Sequence, residues 1–368
     1  MPVCRSVLPA VWKSGADTLP MNTIRQILVI KPSSLGDILH VFPALQLLKK
    51  HYPEAEMDFL VNTEFDQLLD FSPFPIRRRI HFERKKLASP VTGPAELVKL
   101  IRSLRRQKYD LVIDFQGLLR SAFCAWISGH KKNSVYGFAA PREPISGIFY
   151  SRKVGVSKPH AVEKNIELVN FITGNSDSVP DPAIPVSEQG SGIVRKQPEH
   201  YVLLLPGARW ESKCFPVALF AKTAEMLLEK TGKHLHFTIS GSKAEIPLAA
   251  KLRSLLPEDF PVNDLTGKTT LQELFELIRN ADAVVSNDSG PMHIAALLKT
   301  PVFSFFGPTD QDKTGPWAQQ HRVFSAGAKC GKCMQRICPL EETVCHKLDP
   351  EVISSAIFEQ LYQKDMSK

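Results

Sequence analysis

The chain lacks any apolar run of about 18 residues or more, so no segment reads as a membrane-spanning helix. It also lacks a secretory signal. Residues 1–20 carry Cys4, Arg5, Lys13 and Asp17 around one short apolar piece, and read as a loose leader before the first strand. Cysteine is scarce, 7 in 368 residues, and unevenly placed. Cys4, Cys124 and Cys214 are scattered, whereas Cys330, Cys333, Cys338 and Cys345 crowd one short stretch. An odd number in this distribution argues against a disulfide framework and for a reducing cytosol. No G-x-G-x-x-G follows the first strand, which removes support for a dinucleotide cofactor there. Nor is any basic stretch interleaved with aromatics: Phe74 and Phe82 stand isolated among the Arg and Lys runs, which argues against nucleic acid as a partner.

What is present is ordinary globular composition, 43% apolar and 23% charged. At 368 residues the chain exceeds what one core comfortably holds, so two domains are the default. The net charge of +8 divides unevenly. Residues 1–180 hold 25 basic and 16 acidic side chains, net +9, and residues 181–368 hold 21 and 22, net −1. The excess comes from Arg77-Arg78-Arg79, Arg84-Lys85-Lys86, Arg102, Arg105, Arg106 and Lys131-Lys132 among others. It points to a polyanionic partner: an anionic membrane surface, a phosphorylated substrate or nucleic acid.

Ile27-Leu28-Val29-Ile30 suits a strand buried on both faces of a parallel sheet. It leads through Lys31-Pro32-Ser33-Ser34-Leu35-Gly36-Asp37 into helical spacing over residues 38–51, and Met57-Asp58-Phe59-Leu60-Val61 reads as the next strand, completing a βαβ unit. A basic amphipathic helix over 97–108 and a strand at 110–114 follow. Pro, Gly, Ser and acidic residues crowd 174–198, the interdomain linker. The pattern then restarts, with strands at 201–205, 236–240, 283–286 and 302–306 and helices at 216–231, 271–280 and 292–298. Such alternation predicts two Rossmann-like α/β domains.

In sheets of this kind ligands bind outside the strand C-termini, which two such domains bring face to face across a cleft. The turn 33–37 opens a helix whose N–H groups favour anions, and Asp37 there reads either as a capping carboxylate or as a general base. Asn287-Asp288-Ser289-Gly290-Pro291-Met292-His293 again follows a strand and opens a helix. Ser289 and Gly290 would let backbone amides approach a diphosphate, and Asp288 would accept from sugar hydroxyls. His293 is either a ligand contact or a packed helix histidine. After the turn Pro206-Gly207-Ala208-Arg209, Arg209 and Lys213 are in reach of whatever it cradles, and a lysine there would neutralise charge on a leaving diphosphate. Cys330-x2-Cys333-x4-Cys338-x6-Cys345 suits a structural zinc or iron, or else a set of reduced thiols in a surface loop; no base is arranged for a catalytic cysteine.

Taken in order, Ile30 to His40, Asp114-Phe115-Gln116-Gly117-Leu118-Leu119-Arg120-Ser121, Arg142-Glu143-Pro144, His160-Ala161-Val162-Glu163-Lys164, the 286–293 turn and Gly307-Pro308-Thr309-Asp310 resemble the ADP-heptose:lipopolysaccharide heptosyltransferases, glycosyltransferase family 9. The resemblance runs from Ile27 to about Leu361. The Arg-Glu-Pro and His-Ala-Val-Glu-Lys pieces are similar to enzymes adding the first heptose to Kdo, and Cys338-Pro339-Leu340 to those adding the second. The family implies an α/β GT-B fold, two Rossmann-like domains facing across a cleft. The implied layout is a leader (1–24), an acceptor domain (25–175), a linker (176–199), a nucleotide-sugar domain (200–349) and a closing helix (350–368) packing back toward the first domain. It implies inverting transfer from ADP-heptose to a Kdo-lipid A acceptor without a catalytic cofactor, by a cytoplasmic protein peripheral on the inner membrane. Asp37 would be the base and Lys213 would stabilise the departing ADP. Ala208, Arg209, Lys213, Glu245, Asp288, Ser289, Gly290 and His293 would bind donor; Lys31, Ser34, Gly36, Arg84, Arg120, Arg142, His160 and Lys164 would bind acceptor. The alternatives are another GT-B nucleotide-sugar transferase, an epimerase, or a metal-stabilised nucleic-acid-binding protein.

Overall fold

The computed structural model describes residues 24–178, 184–186, 192–232, 234–317, 321–340 and 342–366. The leader, apart from Ile24, and much of the linker therefore lie outside the described residues. Among the described residues, twelve strands form two six-stranded sheets in which every pairing is parallel. The first contains β1 (Gln26–Ile30), β2 (Glu56–Val61), β3 (Ile76–His81), β4 (Leu111–Asp114), β5 (Val135–Phe138) and β6 (Arg152–Val154) in the order 3-2-1-4-5-6. The second contains β7 (Tyr201–Leu205), β8 (His236–Ile239), β9 (Val262–Asp264), β10 (Ala283–Asn287), β11 (Val302–Phe305) and β12 (His321–Phe324), and repeats that order as 9-8-7-10-11-12. Each sheet therefore reverses direction once, between β1 and β4 and between β7 and β10, and these switch points are where an open parallel sheet leaves a crevice.

The helices of the first half are α1 (Leu35–Leu39), α2 (Phe42–His51), α3 (Arg84–Leu87), α4 (Gly93–Arg105), α5 (Leu119–Ile127) and α6 (Ala161–Thr173). Those of the second are α7 (Val217–Thr231), α8 (Ile246–Ser254), α9 (Leu271–Asn280), α10 (Gly290–Leu297), α11 (Gln311–Thr314) and α12 (Pro350–Met366). The helix expected over 38–51 breaks at His40-Val41. Pro43 has no N–H to bond the carbonyl of Leu39, so the helical ladder is interrupted and α2 begins afresh with proline in its first turn. The break leaves His40 at the end of α1, beside the cleft.

One apolar core crosses the domain boundary, joining Phe42, Phe59 and Val169 to Tyr201, Phe275 and Met292; the rings of Phe71 and Phe275 stack at 3.7 Å. In the closing helix, Ile353, Ala356 and Ile357 of α12 are buried in the second domain's core with Phe220 and Leu227 of α7. The run Arg77-Arg78-Arg79 also reads differently once folded: it lies in β3. Arg77 and Arg78 both bond the fully buried carboxylate of Asp58, which also accepts from the Tyr109 hydroxyl at 2.7 Å. Arg79 pairs with Asp66 and Asp70. Arg77 and Arg78 thereby tie β3 to β2 through the buried Asp58, whereas Arg79 ties β3 to the segment after β2; removing one partner of a buried pair costs about 3–5 kcal/mol.

Candidate active site

Both crevice walls are built at the switch points. On the first wall, Lys31 follows β1 and is buried; its Nζ donates to Phe115 O, just past β4, at 2.8 Å, bridging the two strands that flank the switch. Burial pulls its pKa down, while Asp37 and Asp114 oppose that pull. Asp37 sits in the first turn of α1 and caps it, Oδ2 accepting from Ser34 N at 3.0 Å and Ser34 Oγ at 2.8 Å. The capping geometry is therefore made, but it does not exclude a chemical role, because the same carboxylate lines a cavity of about 120 Å³ with Lys31, His40, Phe115, Lys164 and Asn165. Burial works against its charge, but Lys31, the Ser34 bonds and His40 outweigh it and hold the carboxyl at about 2.

Three guanidinium groups approach the same wall from separate segments. Asp114 is buried and accepts from Gln116 N, Ser121 Oγ and Tyr150 OH at 2.7–2.8 Å, which fixes the loop leading into α5 and hence Arg120. Gly117 turns that loop with φ +67°, and a side chain on it would crowd the backbone N of Arg142 at 3.1 Å. Glu143 N donates to Gly117 O, and Glu143 Oε2 accepts from Leu119 N, so the 117–120 and 141–143 loops are laced together. Burial lowers the Arg120 pKa, and the nearby charges of Arg84 and Arg142 lower it further against Glu143. Like charges held this close are the electrostatic mark of an anion site.

On the second wall, Asn287 ends β10 and clamps the neighbouring turn, Nδ2 donating to Pro206 O at 2.6 Å and Oδ1 accepting from Phe215 N at 3.4 Å. Lys213 reaches across, its Nζ 2.7 Å from Asp288 Oδ2 and 4.7 Å from the centre of the Trp210 ring. Asp288 also accepts from Thr309 Oγ1. Glu245 belongs to the same wall. Its carboxyl fills the space where Gly207 would carry a Cβ, 1.6 Å away, and also caps Ser242. Ser289 stands at the N-cap position of α10 without a side-chain cap bond, its Oγ 3.1 Å from Ser286 Oγ. Ala208 accepts from the Cys214 thiol through its carbonyl, and Arg209 is exposed at the turn.

The two walls meet. A Cβ on Gly36 would lie 2.4 Å from the His293 ring, and one on Gly290 would lie 2.5 Å from Leu35 Cδ2. His40 Nε2 and His293 Nδ1 are 3.1 Å apart and both rings are buried. Burial holds the His40 pKa well below its usual range and His293 at about 4, so both are neutral at pH 7 and one N–H can serve the pair. His160 makes a second bridge. Its Nδ1 accepts from Val162 N, capping α6, so Nε2 carries the proton and donates to Gly315 O across the cleft at 3.0 Å. Both nitrogens of this residue, expected on the acceptor side, are thus engaged, Nδ1 within the first domain and Nε2 across to the second.

The four cysteines, expected to hold a structural zinc or iron or to be reduced thiols, do gather: Cys330, Cys333 and Cys338 all lie within electrostatic range of Cys345. Among the described residues no three His, Cys, Asp or Glu side chains stand in ligating geometry, and Cys330 and Cys333 are exposed. Their loop also buttresses the second wall. Ser212 donates to the carbonyls of Arg336 and Gln335, His346 Nε2 donates to Ser212 O at 2.8 Å, and Arg336 lies over Trp210. His40, Asn165, Trp210 and Thr309 are site residues the motif reading left without a role. For His40 the signal was available: it lies three residues beyond Asp37, on the same helical side.

Residues 97–344 match glycosyltransferase family 9 (heptosyltransferase). Among curated proteins, the chain is 29% identical to lipopolysaccharide heptosyltransferase 1 of Pseudomonas aeruginosa over 328 residues, 86% of this chain and 88% of that one. It is 31% identical to lipooligosaccharide heptosyltransferase 2 of Haemophilus influenzae over 324 residues, 81% and 87%. Among solved structures, an Escherichia coli heptosyltransferase crystallised with ADP superposes with a TM-score of 0.72 at 24% identity, covering 91% of this chain and 99% of that one, which places the fold as GT-B. The chain belongs to glycosyltransferase family 9, the heptosyltransferases, and is a glycosyltransferase.

Proposed function

We propose that the protein transfers L-glycero-D-manno-heptose from ADP-heptose to the Kdo-bearing inner core of lipopolysaccharide, with inversion at the anomeric carbon, on the cytoplasmic face of an anionic membrane. The observation that carries this reading is the juxtaposition at the cleft: a cavity holding Asp37 between two lysines on one wall, and the Lys213–Asp288 pair on the other. The relatives named above are heptosyltransferases acting on lipopolysaccharide or lipooligosaccharide, and the first wall has the positive charge that an acidic, phosphate-bearing acceptor needs.

In this mechanism the acceptor hydroxyl lies in the cavity beside Asp37. Its oxygen attacks the anomeric carbon, the bond from that carbon to the diphosphate oxygen breaks, and Asp37 takes the hydroxyl proton. Lys213 meets the charge that develops on the leaving diphosphate, exchanging Asp288 for phosphate oxygen. Ser289, Gly290 and the N-terminus of α10 provide amides for the same group. A carboxylate held at about 2 is a weak base, and Lys31 is the strongest influence keeping it there. An acidic acceptor beside Lys31 offsets that cation and brings Asp37 closer to the range where it accepts a proton. Base strength then appears only when the acceptor is bound.

The test is Asp37→Ala. Transfer to a Kdo-containing acceptor should fall by at least about a thousandfold, with ADP affinity and melting temperature close to the parent's. Near-normal turnover by the variant removes Asp37 as the base, and retention of anomeric configuration in the product removes the single-displacement mechanism.

A further inference from the structure

The first half carries an exposed apolar face that the catalytic cleft does not use. Leu119, Phe123 and Trp126 recur on α5 at positions i, i+4 and i+7, which stack on one side of a helix. The short 3-10 segment Pro144–Phe149 packs alongside, with Phe149 against Phe123 and Trp126 at ring distances of 6.1 and 5.8 Å. Outward from this aromatic base project Ile148, 70% exposed, Ile145, 59%, Trp126, 55%, and Leu119, 41%. Isolated apolar residues on a surface need no explanation, but four large ones on two adjoining segments form a patch.

Cations edge this patch. Arg120 adjoins Leu119 and Arg142 lies just before the 3-10 segment, the two within electrostatic range of each other. Lys153 runs beside Gly147 within the segment, and Lys131 and Lys132 follow α5. Two acids stand among them: Glu143, occupied by the Leu119 backbone, and Asp110, which pairs with Lys131. Apolar and aromatic side chains in a basic border are complementary to an anionic bilayer, where Trp prefers the headgroup boundary and each cation adds attraction.

We infer that this face, the outer side of α5 with the Pro144–Phe149 segment, docks on an anionic phospholipid membrane, with Trp126, Ile145 and Ile148 entering the interface. The placement matters for the reaction. The loop that launches α5 starts at Phe115, which lines the Asp37 cavity, so a bilayer against α5 brings a lipid-linked sugar to the acceptor side of the cleft. The inference rests on the reading that the acceptor is lipid-linked. It also corrects the distribution of charge, since Arg77, Arg78 and Arg79 are engaged by Asp58 and Asp66 and are not part of the membrane face.

The test is sedimentation of the full chain with vesicles of phosphatidylcholine alone or with phosphatidylglycerol added, in parallel with transfer assays on a membrane-embedded acceptor and on its deacylated, soluble form. The parent should bind the anionic vesicles and largely ignore the neutral ones. The double substitution Ile145→Asp with Ile148→Asp should weaken that binding by at least about tenfold and slow transfer to the embedded acceptor, while leaving transfer to the soluble form unchanged. Trp126→Ala, made separately, should weaken binding several-fold and abolish the lipid-induced blue shift of tryptophan emission. Parent-like vesicle binding by the double variant overturns the proposal, as does a parent that binds neutral and anionic vesicles alike. A parent that binds anionic vesicles through this face yet transfers heptose to neither form of acceptor leaves the docking face standing and removes the functional reading instead.

Discussion

The two halves repeat one strand order, yet the charges at their switch points are arranged in opposite ways. In the second half the cation is matched: Lys213 pairs with Asp288, Asp288 is held by Thr309, and the turn is braced from behind by Ser212, His346 and Trp210. In the first half cations face cations, with Arg120 within electrostatic range of both Arg84 and Arg142, and with Lys31 and Lys164 lining the cavity of one carboxylate. A matched, braced wall is preorganised, and exchanging one anion for another costs it little rearrangement. An unmatched wall holds repulsion that an incoming anion relieves. The same scaffold thus offers a rigid site for a ligand whose charge changes during reaction and an electropositive site for one that must be captured.

The sharpest way to break this comparison is to remove one cation from each wall. Lys213→Ala should lower turnover by about a hundred- to a thousandfold and weaken ADP binding, leaving the acceptor KM nearly unchanged, because its partner charge develops in the transition state. Arg120→Ala should instead raise the acceptor KM by about tenfold at nearly constant ADP affinity, the size expected for one charged hydrogen bond. Steady-state kinetics varying each substrate would show it; equal effects of the two variants on both substrates would mean that the walls are not specialised.

Between those two in size lies the contact joining the walls. A methyl group on Gly36 meets the His293 ring at 2.4 Å, and that ring is buried and bonded to His40, so it cannot simply swing aside. Gly36→Ala should therefore hold the domains apart and lower turnover by about a hundredfold, the scale of a misplacement near 1 Å between reacting groups. Gly290→Ala meets only the flexible end of Leu35 and should cost less. Small-angle scattering with ADP bound would show whether closure is what the first variant loses.

Much of this was legible before folding, and for definable reasons. Strands β1, β7, β10 and β11 are short apolar runs, and their following turns carry Gly, Ser or Asp, so fold class and the location of both walls follow from periodicity and turn chemistry. Strand β3 was not legible: Ile76-Arg77-Arg78-Arg79-Ile80-His81 looks like a solvated charge run, and only Asp58, Asp66 and Asp70, brought in by the fold, explain three arginines in a sheet. The short outer strands β6, β9 and β12 carry weak local signals because pairing, not propensity, defines them. At the site, motif residues could be placed by resemblance. The His40–His293 contact could not, because it joins positions 253 apart and depends on the break that Pro43 imposes between α1 and α2.

That contact supplies the smallest effect and the cleanest assignment. His293 is held at about 4 and His40 well below 6.5, each first by burial, in surroundings that also include Asp37, Asp288, Lys213, Lys31 and His160. A histidine whose pKa is lowered in the closed form binds its proton better when the domains part. Closure is therefore fully favoured above about 6.5 and weakens as pH falls toward 4. Asp37, at about 2 without acceptor, does not titrate in that window, so it adds no acid limb to kcat/KM for the acceptor, which reports the free enzyme. That kcat/KM should fall several-fold between pH 7 and pH 5, and His40→Asn, which removes one titrating ring but keeps a polar side chain at the boundary, should flatten that limb while lowering the plateau. An unchanged limb in His40→Asn would assign the titration to another group, such as the acceptor's own phosphates. It would leave the two walls joined by packing at Gly36 and Phe71 rather than by a shared proton.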